Sequence, residues 1–236
     1  MTKVIASFHL ADVGVGATLR RIWRRPSAHR VDGLRRADLA VASPMRTTGA
    51  PRPDPRRLAL VAFWDEEHAL DRFLDEHPLA HELADGWRAR LEPLRAFGTW
   101  PGLPDDIARS RTTAYEGPAV VLTLGRLRLS QAPRFLRTSR PAEAAAVEAP
   151  GAIWVTALAR PPFVATCSLW ESTSALSAYA YGDGGPAHPD AIAADRANGF
   201  HHESAFIRFR PLRVEGQLAG RNPLPPEALP VVAGPG

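Results

Sequence analysis

An internal repeat constrains the fold of this chain more than any other feature of the sequence. Residues 60–70 align with residues 166–176 at a constant spacing of 106 positions, and both segments contain a tryptophan followed by an acidic residue, at Trp64 and Trp170. In both, a strand-like run ends at the tryptophan and a helical pattern follows it. Further segments match at spacings near 118: 4–8 with 120–124, 33–37 with 151–155, and 98–102 with 216–220. The chain therefore reads as one unit made twice, and we expect the open faces of the two copies to pack together.

Each copy has the same predicted order of elements: strand, helix, strand, strand, helix, strand. The strand predictions rest on alternating runs rich in Val, Ile, Phe and Trp. The predicted strands are 3–10, 34–42, 57–64 and 93–98 in the first copy and 118–125, 152–159, 163–170 and 204–215 in the second. The predicted helices are 14–25, 66–76 and 79–92, then 130–139, 172–181 and 189–199. Such βαββαβ units form four-stranded antiparallel sheets with helices on one face, so we predict an α+β fold.

The repeat also sets the predicted domain boundaries. The first unit takes residues 1–115 and the second takes residues 116–224. A segment rich in proline and arginine, 43–57, connects two strands of the first unit. The Pro-rich tail 225–236 has no hydrophobic periodicity, and we predict that it is disordered.

Composition excludes several classes of protein. Cys167 is the only cysteine, so no internal disulfide can form, and a reducing cytoplasm is the simplest location. No apolar run approaches the roughly 18 residues of a membrane span, so we expect no integral membrane segment. The formal charge of +4 comes from a basic first segment without helix-turn-helix or zinc-finger patterns, and we predict no nucleic-acid binding. Walker, Rossmann, nucleophile and zinc-ligand motifs are absent, which argues against the standard hydrolases, kinases and dehydrogenases.

Residues 163–224 contain a characteristic series of motifs. A strand ending in Trp170-Glu171 is followed by the loop Gly185-Pro186-Ala187-His188, by a segment leading from Phe200 into the last strand, and by a closing stretch from Gly216 to Leu224. This series resembles the spheroidene monooxygenase family, although the tryptophan of the family's closing motif is Leu218 here. The resemblance implies two ferredoxin-like units in one chain, arranged like a dimeric α/β barrel, and an oxygen-dependent enzyme that uses haem on a carotenoid. We therefore predict haem-dependent oxygenation of a hydrophobic organic substrate, with an electron donor protein as partner.

The resemblance makes His188 the predicted axial ligand of a haem, and hence both the metal ligand and a catalytic residue. It follows a glycine-rich loop, which permits close approach of the backbone, and it precedes Pro189, which favours the start of a helix. The alternative is an exposed histidine in a surface loop. Arg20, on the basic first helix, is the predicted partner of a haem propionate. Trp154 and Trp100 are predicted to contact the ligand, with packing in the core as the alternative.

Two other histidines are candidate general bases. His9 shares one face of the first strand with Ser7, and either this face or the opposite one can line a barrel. A histidine facing solvent at the strand end is the alternative. His201 is predicted at the end of a helix, partly exposed.

These histidines support two rival interpretations of the chain. With His9 or His201 as a base, it would be a cofactor-free monooxygenase or isomerase. With a barrel wholly filled by side chains, it would be a non-catalytic protein that binds a small molecule. Since one chain carries both units, a monomer and a homodimer both stay open.

Overall fold

A computed structural model describes residues 4–47, 52–110, 113–181, 199–218, 220–224 and 229. The strands are β1 (Ile5–Asp12), β2 (Leu34–Pro44), β3 (Arg57–Trp64), β4 (Trp87–Gly98), β5 (Ala119–Leu127), β6 (Ala152–Arg160), β7 (Phe163–Trp170) and β8 (His201–Glu215). The helices are α1 (Gly14–Arg21), α2 (Glu67–Glu76), α3 (Pro78–Glu82), α4 (Ala132–Glu148) and α5 (Thr173–Tyr181). A short 3-10 turn, Leu129–Gln131, precedes α4.

The strands close into a barrel in the order β1-β3-β2-β6-β7-β5-β8-β4, and every neighbouring pair is antiparallel. Each half of the chain contributes one four-stranded sheet with the same internal order, β4-β1-β3-β2 and β8-β5-β7-β6. The edges of the two sheets meet at two seams, where β2 pairs with β6 and β4 pairs with β8. This arrangement confirms the predicted α+β fold of tandem ferredoxin-like units in a single-chain barrel.

Glycines at matching positions show the repeat in atomic detail. Gly33 and Gly151 precede β2 and β6 with positive φ values of 70° and 79°. A Cβ atom at these positions would lie 2.4 Å and 2.5 Å from the Cβ atoms of Ala69 and Ala175, respectively, each on the helix of the same unit. Glycine is required at both sites because the backbone conformation and the close helix each exclude a larger residue.

Both faces of the sheet are covered, so the chain has an inner and an outer core. On β1, Phe8 and Leu10 face the barrel interior together with Leu122, Leu169 and Ile207 of the other unit. Separate apolar clusters lie outside the barrel, beneath the helices of each unit.

Trp64 and Trp170 occupy equivalent corners of the two outer clusters, as predicted from the repeat. The indole N–H of Trp64 donates to Ser7 Oγ on β1 at 2.9 Å, and that of Trp170 donates to Ser168 Oγ on its own strand, β7, also at 2.9 Å. The two equivalent indole N–H groups thus find their serine acceptors on different strands.

The structure corrects three details of the predicted elements. The first is the alignment of the first strands of the two units. Ile5 pairs with Trp64 and Ala119 pairs with Trp170, so Ile5 is equivalent to Ala119. The predicted match of Val4 with Val120 is therefore out of register. The second is helix α4, which continues to Glu148 beyond the predicted end at residue 139.

The third correction concerns the predicted helix 79–92, whose last part, from Trp87 onwards, is strand. Helix α3 ends at Glu82, and β4 begins at Trp87. Trp87 and Leu91 face the barrel interior, whereas Arg88 pairs with Glu215 on the neighbouring strand β8. Arginine, alanine and leucine favour helix on their own. Here apolar and polar residues alternate with period two, and the strand pairing that closes the barrel outweighs the helix propensity of the segment.

Some predicted segments lie outside the described residues. They include the predicted helix 189–199 up to residue 198 and the tail 225–236 apart from Leu229, which packs against the barrel interior. Within the described ranges, no helix combines the length and the apolar character that crossing a bilayer requires.

Candidate functional site

At one end of the barrel, charged side chains occupy inward-facing strand positions, which are apolar in the middle of the barrel. Arg36 and Asp38 on β2 continue the inward-facing row of Ala40 and Ala42, and Arg160 continues the row of Leu158 on β6. Arg126 at the end of β5 and Arg25 after α1 complete the set. We call this end the arginine mouth, defined by Arg25, Arg36, Arg126, Arg160, Asp38 and Trp100. It encloses a cavity of about 240 Å³.

Asp38 is the buried anion of the arginine mouth, with 2% of its surface exposed. Arg36 donates to both carboxylate oxygens, from Nε at 2.8 Å and from Nη2 at 3.0 Å. Arg25 and Arg160 donate to Oδ1 at 3.2 Å and 3.3 Å. One carboxylate therefore faces three guanidinium groups and balances only one of their charges.

The remaining arginine of the mouth has its own partner. Arg126 Nε lies 3.1 Å from Glu203 Oε2, at the start of β8. Within the described part of the chain, four arginines and two carboxylates leave an excess of about two positive charges around the cavity. Burial lowers the pKa of Arg160; Asp38 opposes this shift, and Arg25, Arg36 and Arg126 add to it. The mouth is thus a positive region that is partly withdrawn from water.

Aromatic rings form the walls of the cavity. Trp100, with 4% of its surface exposed, lies 5.7 Å from Phe163 between ring centroids. The guanidinium of Arg126 stands 5.7 Å from the Trp100 centroid, and that of Arg160 stands 5.9 Å from the centroids of both Phe163 and Trp23. These cation–π contacts hold the arginines at the cavity wall.

Trp100 differs from three other buried tryptophans in its hydrogen bonding. The indole N–H groups of Trp64, Trp87 and Trp170 donate to Ser7, Asn222 and Ser168, respectively. The indole N–H of Trp100 is buried and has no acceptor in the described part of the chain. Trp100 also lines a second cavity of about 210 Å³, so its side chain borders two open volumes.

The repeat supplies an internal comparison, because the barrel has a second, equivalent end. Arg36 pairs with Phe63 on β3, and the equivalent pairing on β7 joins Trp154 to Leu169. Two residues further along, Thr156 on β6 occupies the position equivalent to that of Asp38 on β2. Trp154 packs against Phe8 and Trp87, at 6.2 Å and 6.0 Å between ring centroids. The second end is therefore filled by an aromatic cluster.

This placement decides how the predicted residues relate to the cavity. Trp100 lines it, whereas Trp154 lies at the opposite end of the barrel interior, and contact of either with a ligand stays a prediction. Arg20 is on the outer surface, 57% exposed and 3.8 Å from Glu82, and it is Arg25 that reaches the cavity from this part of the chain. His188 lies outside the described residues.

His9 neither faces solvent nor lines the barrel interior. It lies on the outer face of β1 with 2% exposure, edge-on to Phe73 of α2. Burial, reinforced by the charge of Arg88 and opposed by Glu215, lowers the pKa of His9 to about 3. Its Nε2 atom has no hydrogen-bond partner among the described residues. It is therefore a neutral core histidine, remote from the cavity.

His201 is also outside the barrel. It is the first residue of β8 and not the end of a helix, and its ring packs against Phe135 of α4 at 5.1 Å between centroids. A Cβ at Gly125, on the adjacent strand β5, would collide with this ring at 2.5 Å. Neither of the two histidines predicted as bases reaches the cavity.

A haem does not fit the cavity of the arginine mouth. Guanidinium groups suited to propionates are present, but the described lining residues include no His, Cys, Met or Tyr side chain that could ligate iron. The volume of about 240 Å³ is also below the usual range of roughly 300–1,000 Å³ for small-molecule sites. Among the described residues, no group of three or more His, Cys, Asp or Glu side chains is placed to hold a metal ion.

Fold and site together define a class: a single-chain α/β barrel of two ferredoxin-like units with a small cavity at one mouth. An aldoxime dehydratase solved in complex with butyraldoxime has this fold, with a TM-score of 0.51, 8% identity and coverage of 89% of this chain and 80% of that one. No protein-family model matches the chain.

The sequence relatives are more specific. A spheroidene monooxygenase of Rubrivivax gelatinosus is 33% identical over 176 residues, covering 72% of this chain and 66% of the relative. That of Rhodobacter capsulatus is 28% identical over 193 residues, covering 76% of each chain. The chain is distantly homologous to the spheroidene monooxygenases. The match spans slightly less than two thirds of the Rubrivivax protein.

Proposed function

We propose that this chain is an oxidoreductase of the spheroidene monooxygenase type, which inserts one atom of O₂ into an organic substrate with a hydrophobic body. The observation that carries the proposal is the 33% identity over 176 residues. Since each unit makes up about half of the chain, a match of this length includes parts of both. The second oxygen atom leaves as water, which requires two protons and two electrons from an electron donor protein.

The cavity at the arginine mouth is the proposed place for part of the substrate. Trp100 and Phe163 offer apolar ring surface there, next to the filled barrel interior. Packing of a hydrophobic group on these rings would remove it from water and fix its orientation.

Turnover with isotopic oxygen tests the reaction. Purified protein is incubated with spheroidene, an electron donor system and ¹⁸O₂, and the product is examined by mass spectrometry. We expect one ¹⁸O atom in the product and none from H₂¹⁸O. Trp100→Ala should lower kcat/KM by about tenfold or more, because it removes apolar contact surface. Leu129→Ala, at an exposed leucine outside the cavity, is the matched control. A chain that gives no oxygenated product under these conditions contradicts the proposal.

Haem with His188 as the axial ligand is the proposed cofactor, and it would supply oxygen activation when bound. His188 lies outside the described residues and the arginine mouth does not fit a haem, so spectroscopy tests the assignment. Protein produced with ample haem precursor should show a Soret band that shifts or disappears in His188→Ala and persists in the His202→Ala control. A colourless native protein, or a band unchanged in His188→Ala, would refute the assignment and leave the oxygenation proposal to its own test.

One observation favours a second candidate, a non-catalytic binding protein. Side chains of the described residues fill the barrel interior, and the two cavities of about 210 Å³ and 240 Å³ lie near the charged end. This candidate predicts ligand binding without consumption of O₂. The isotopic experiment separates the two functions directly.

A further inference from the structure

We propose that the arginine mouth is a binding site for an organic anion, a carboxylate carried on a flat apolar body. The inference rests on charge, on an unpaired donor, on ring surface and on the comparison between the two ends of the barrel. It does not rest on the oxygenation reaction, because a protein that only binds its ligand would use the same site.

The charge balance of the mouth calls for a further anion. Asp38 already receives hydrogen bonds from three arginines and is 2% exposed, so its oxygens have little capacity left. Among the described residues, this single charge leaves two of those guanidinium charges uncompensated, and one of the three groups, Arg25, is 44% exposed to water. Buried or partly buried cations are costly unless they are paired. The side chains of Arg36 and Arg160 are only 17% and 14% exposed, so water relieves this excess incompletely.

An unpaired donor points to the same ligand. The Trp100 indole N–H is buried without an acceptor among the described residues, while three other buried indoles are satisfied. A buried N–H without a partner costs free energy that an acceptor recovers. Trp100 lines the same cavity as Arg126 and Arg160. A carboxylate placed there can accept a charge-assisted hydrogen bond from a guanidinium, and it would accept one from the indole after a shift of the Trp100 ring, because the N–H itself is buried.

The walls define the rest of the ligand. Trp100 and Phe163 present ring surface on the buried side of the cavity, and Trp23, 72% exposed, stands at its outer edge. Flat rings favour a planar partner, since offset stacking and edge contacts add to the burial of apolar area. The small volume limits the ligand to one or two rings, or to the end of a longer conjugated chain.

The second end of the barrel shows that the fold itself does not require this set of residues. Trp154 and Thr156 occupy there the positions of Arg36 and Asp38, and that end closes by aromatic packing. The ion pair at that end, between Asp12 and Arg56, is exposed, and Thr156 stands where the arginine mouth has the buried Asp38. The arginines at the other end are therefore explained by a ligand better than by barrel closure.

Isothermal titration calorimetry with a matched pair of probes tests the proposal. The probes are 2-naphthoate and its uncharged counterpart 2-naphthamide, which share one ring system. We expect naphthoate to bind at least about tenfold more tightly than naphthamide, and the difference to shrink at high salt.

Three substitutions separate the arginine mouth from general surface charge. Arg160→Gln and Arg126→Gln should each weaken naphthoate binding by about tenfold, and Trp100→Phe, which removes the N–H and keeps a ring, by a smaller factor. Arg56→Gln is the control, because Arg56 pairs with Asp12 at the end of β1 and lies away from the cavity. Arg126 serves as the second arginine because Arg160 also donates to the Leu39 carbonyl and its loss can disturb folding.

The outcomes decide the proposal without reference to turnover. Naphthoate affinity that falls in the mouth variants and not in Arg56→Gln supports it, provided thermal unfolding shows folded proteins. Equal affinity for naphthoate and naphthamide, or equal losses in Arg126→Gln and Arg56→Gln, overturns it. Absence of oxygenation in the isotopic assay would leave these binding results unchanged, so the two proposals fail separately.

Discussion

Acidification from pH 7 to pH 5 should destabilise the protein through His9. This histidine is 2% exposed on the outer face of β1, and its Nε2 has no described partner that could stabilise a proton. Its pKa is lowered from 6.5 to about 3, chiefly by burial. The folded protein therefore keeps His9 neutral at pH 5, whereas the unfolded chain takes up a proton below pH 6.5. Stability is full above pH 6.5 and falls as the pH drops from there towards 3.

The size of the effect follows from the two pKa values. Each pH unit between them changes the free energy of unfolding by about 1.4 kcal/mol, so a drop to pH 5 costs about 2 kcal/mol. Asp12 and Glu82, whose pKa values are lowered first of all by hydrogen bonds from arginine, contribute below pH 5 and little in this window. Burial also lowers the pKa of His77, which adds to the loss with the same sign.

Urea denaturation at pH 7 and at pH 5 measures the prediction. The wild type should lose about 2 kcal/mol or slightly more between the two pH values. His9→Leu, which keeps an apolar side chain of similar size in the core, should lose markedly less. His202→Gln, at an exposed histidine, should behave as the wild type does. An equal loss in His9→Leu and the wild type would refute the assignment of this pH dependence to His9.

Three further predictions concern the repeat, the charged mouth and the single thiol. Gly33→Ala and Gly151→Ala should each lower the free energy of unfolding by about 2 kcal/mol or more, because both combine a positive φ with a close helix; a loss in only one would contradict their equivalence. Asp38→Asn should cost about 3–5 kcal/mol in urea unfolding, since three arginines lose their carboxylate, whereas Asp12→Asn, at an exposed pair, should change stability little. Cys167 is fully buried and burial raises the pKa of its thiol, so it should react with Ellman's reagent only after denaturation; rapid reaction of the native protein would contradict this.

The architecture could be predicted because it depends on short-range patterns that occur twice. Strand-like runs ending at Trp64 and Trp170 fixed two equivalent corners, and an open sheet in each copy required the other copy to cover it. The start of β4 at Trp87 was missed because its arginines, alanines and leucines favour helix locally. Only pairing with β1 and β8 makes this segment a strand.

The candidate site was largely hidden from sequence reasoning. Its arginines come from four separate parts of the chain, and their convergence depends on barrel closure and on strand register. The available signal was the charged pair Arg36 and Asp38 at inward-facing positions of a buried strand, but the inward face is recognisable only once the pairing is known. His9 shows the same difficulty: both faces of β1 are buried, so alternation alone could not tell the interior from the helix-covered side.

The two seams of the barrel are unequal, and this has a consequence for how the ring opens. The β4–β8 seam pairs along Arg88–Gly98, whereas the β2–β6 seam pairs only along Val41–Pro44. Beyond Val41 the backbone ladder gives way to side-chain bonds from Arg160 to the Leu39 carbonyl and to Asp38. The barrel should therefore open more readily at the β2–β6 seam, where fewer residues are paired, and amide hydrogen exchange should be faster in β6 than in β4. An anion bound by the same arginines would stabilise the closed β2–β6 seam and slow the exchange.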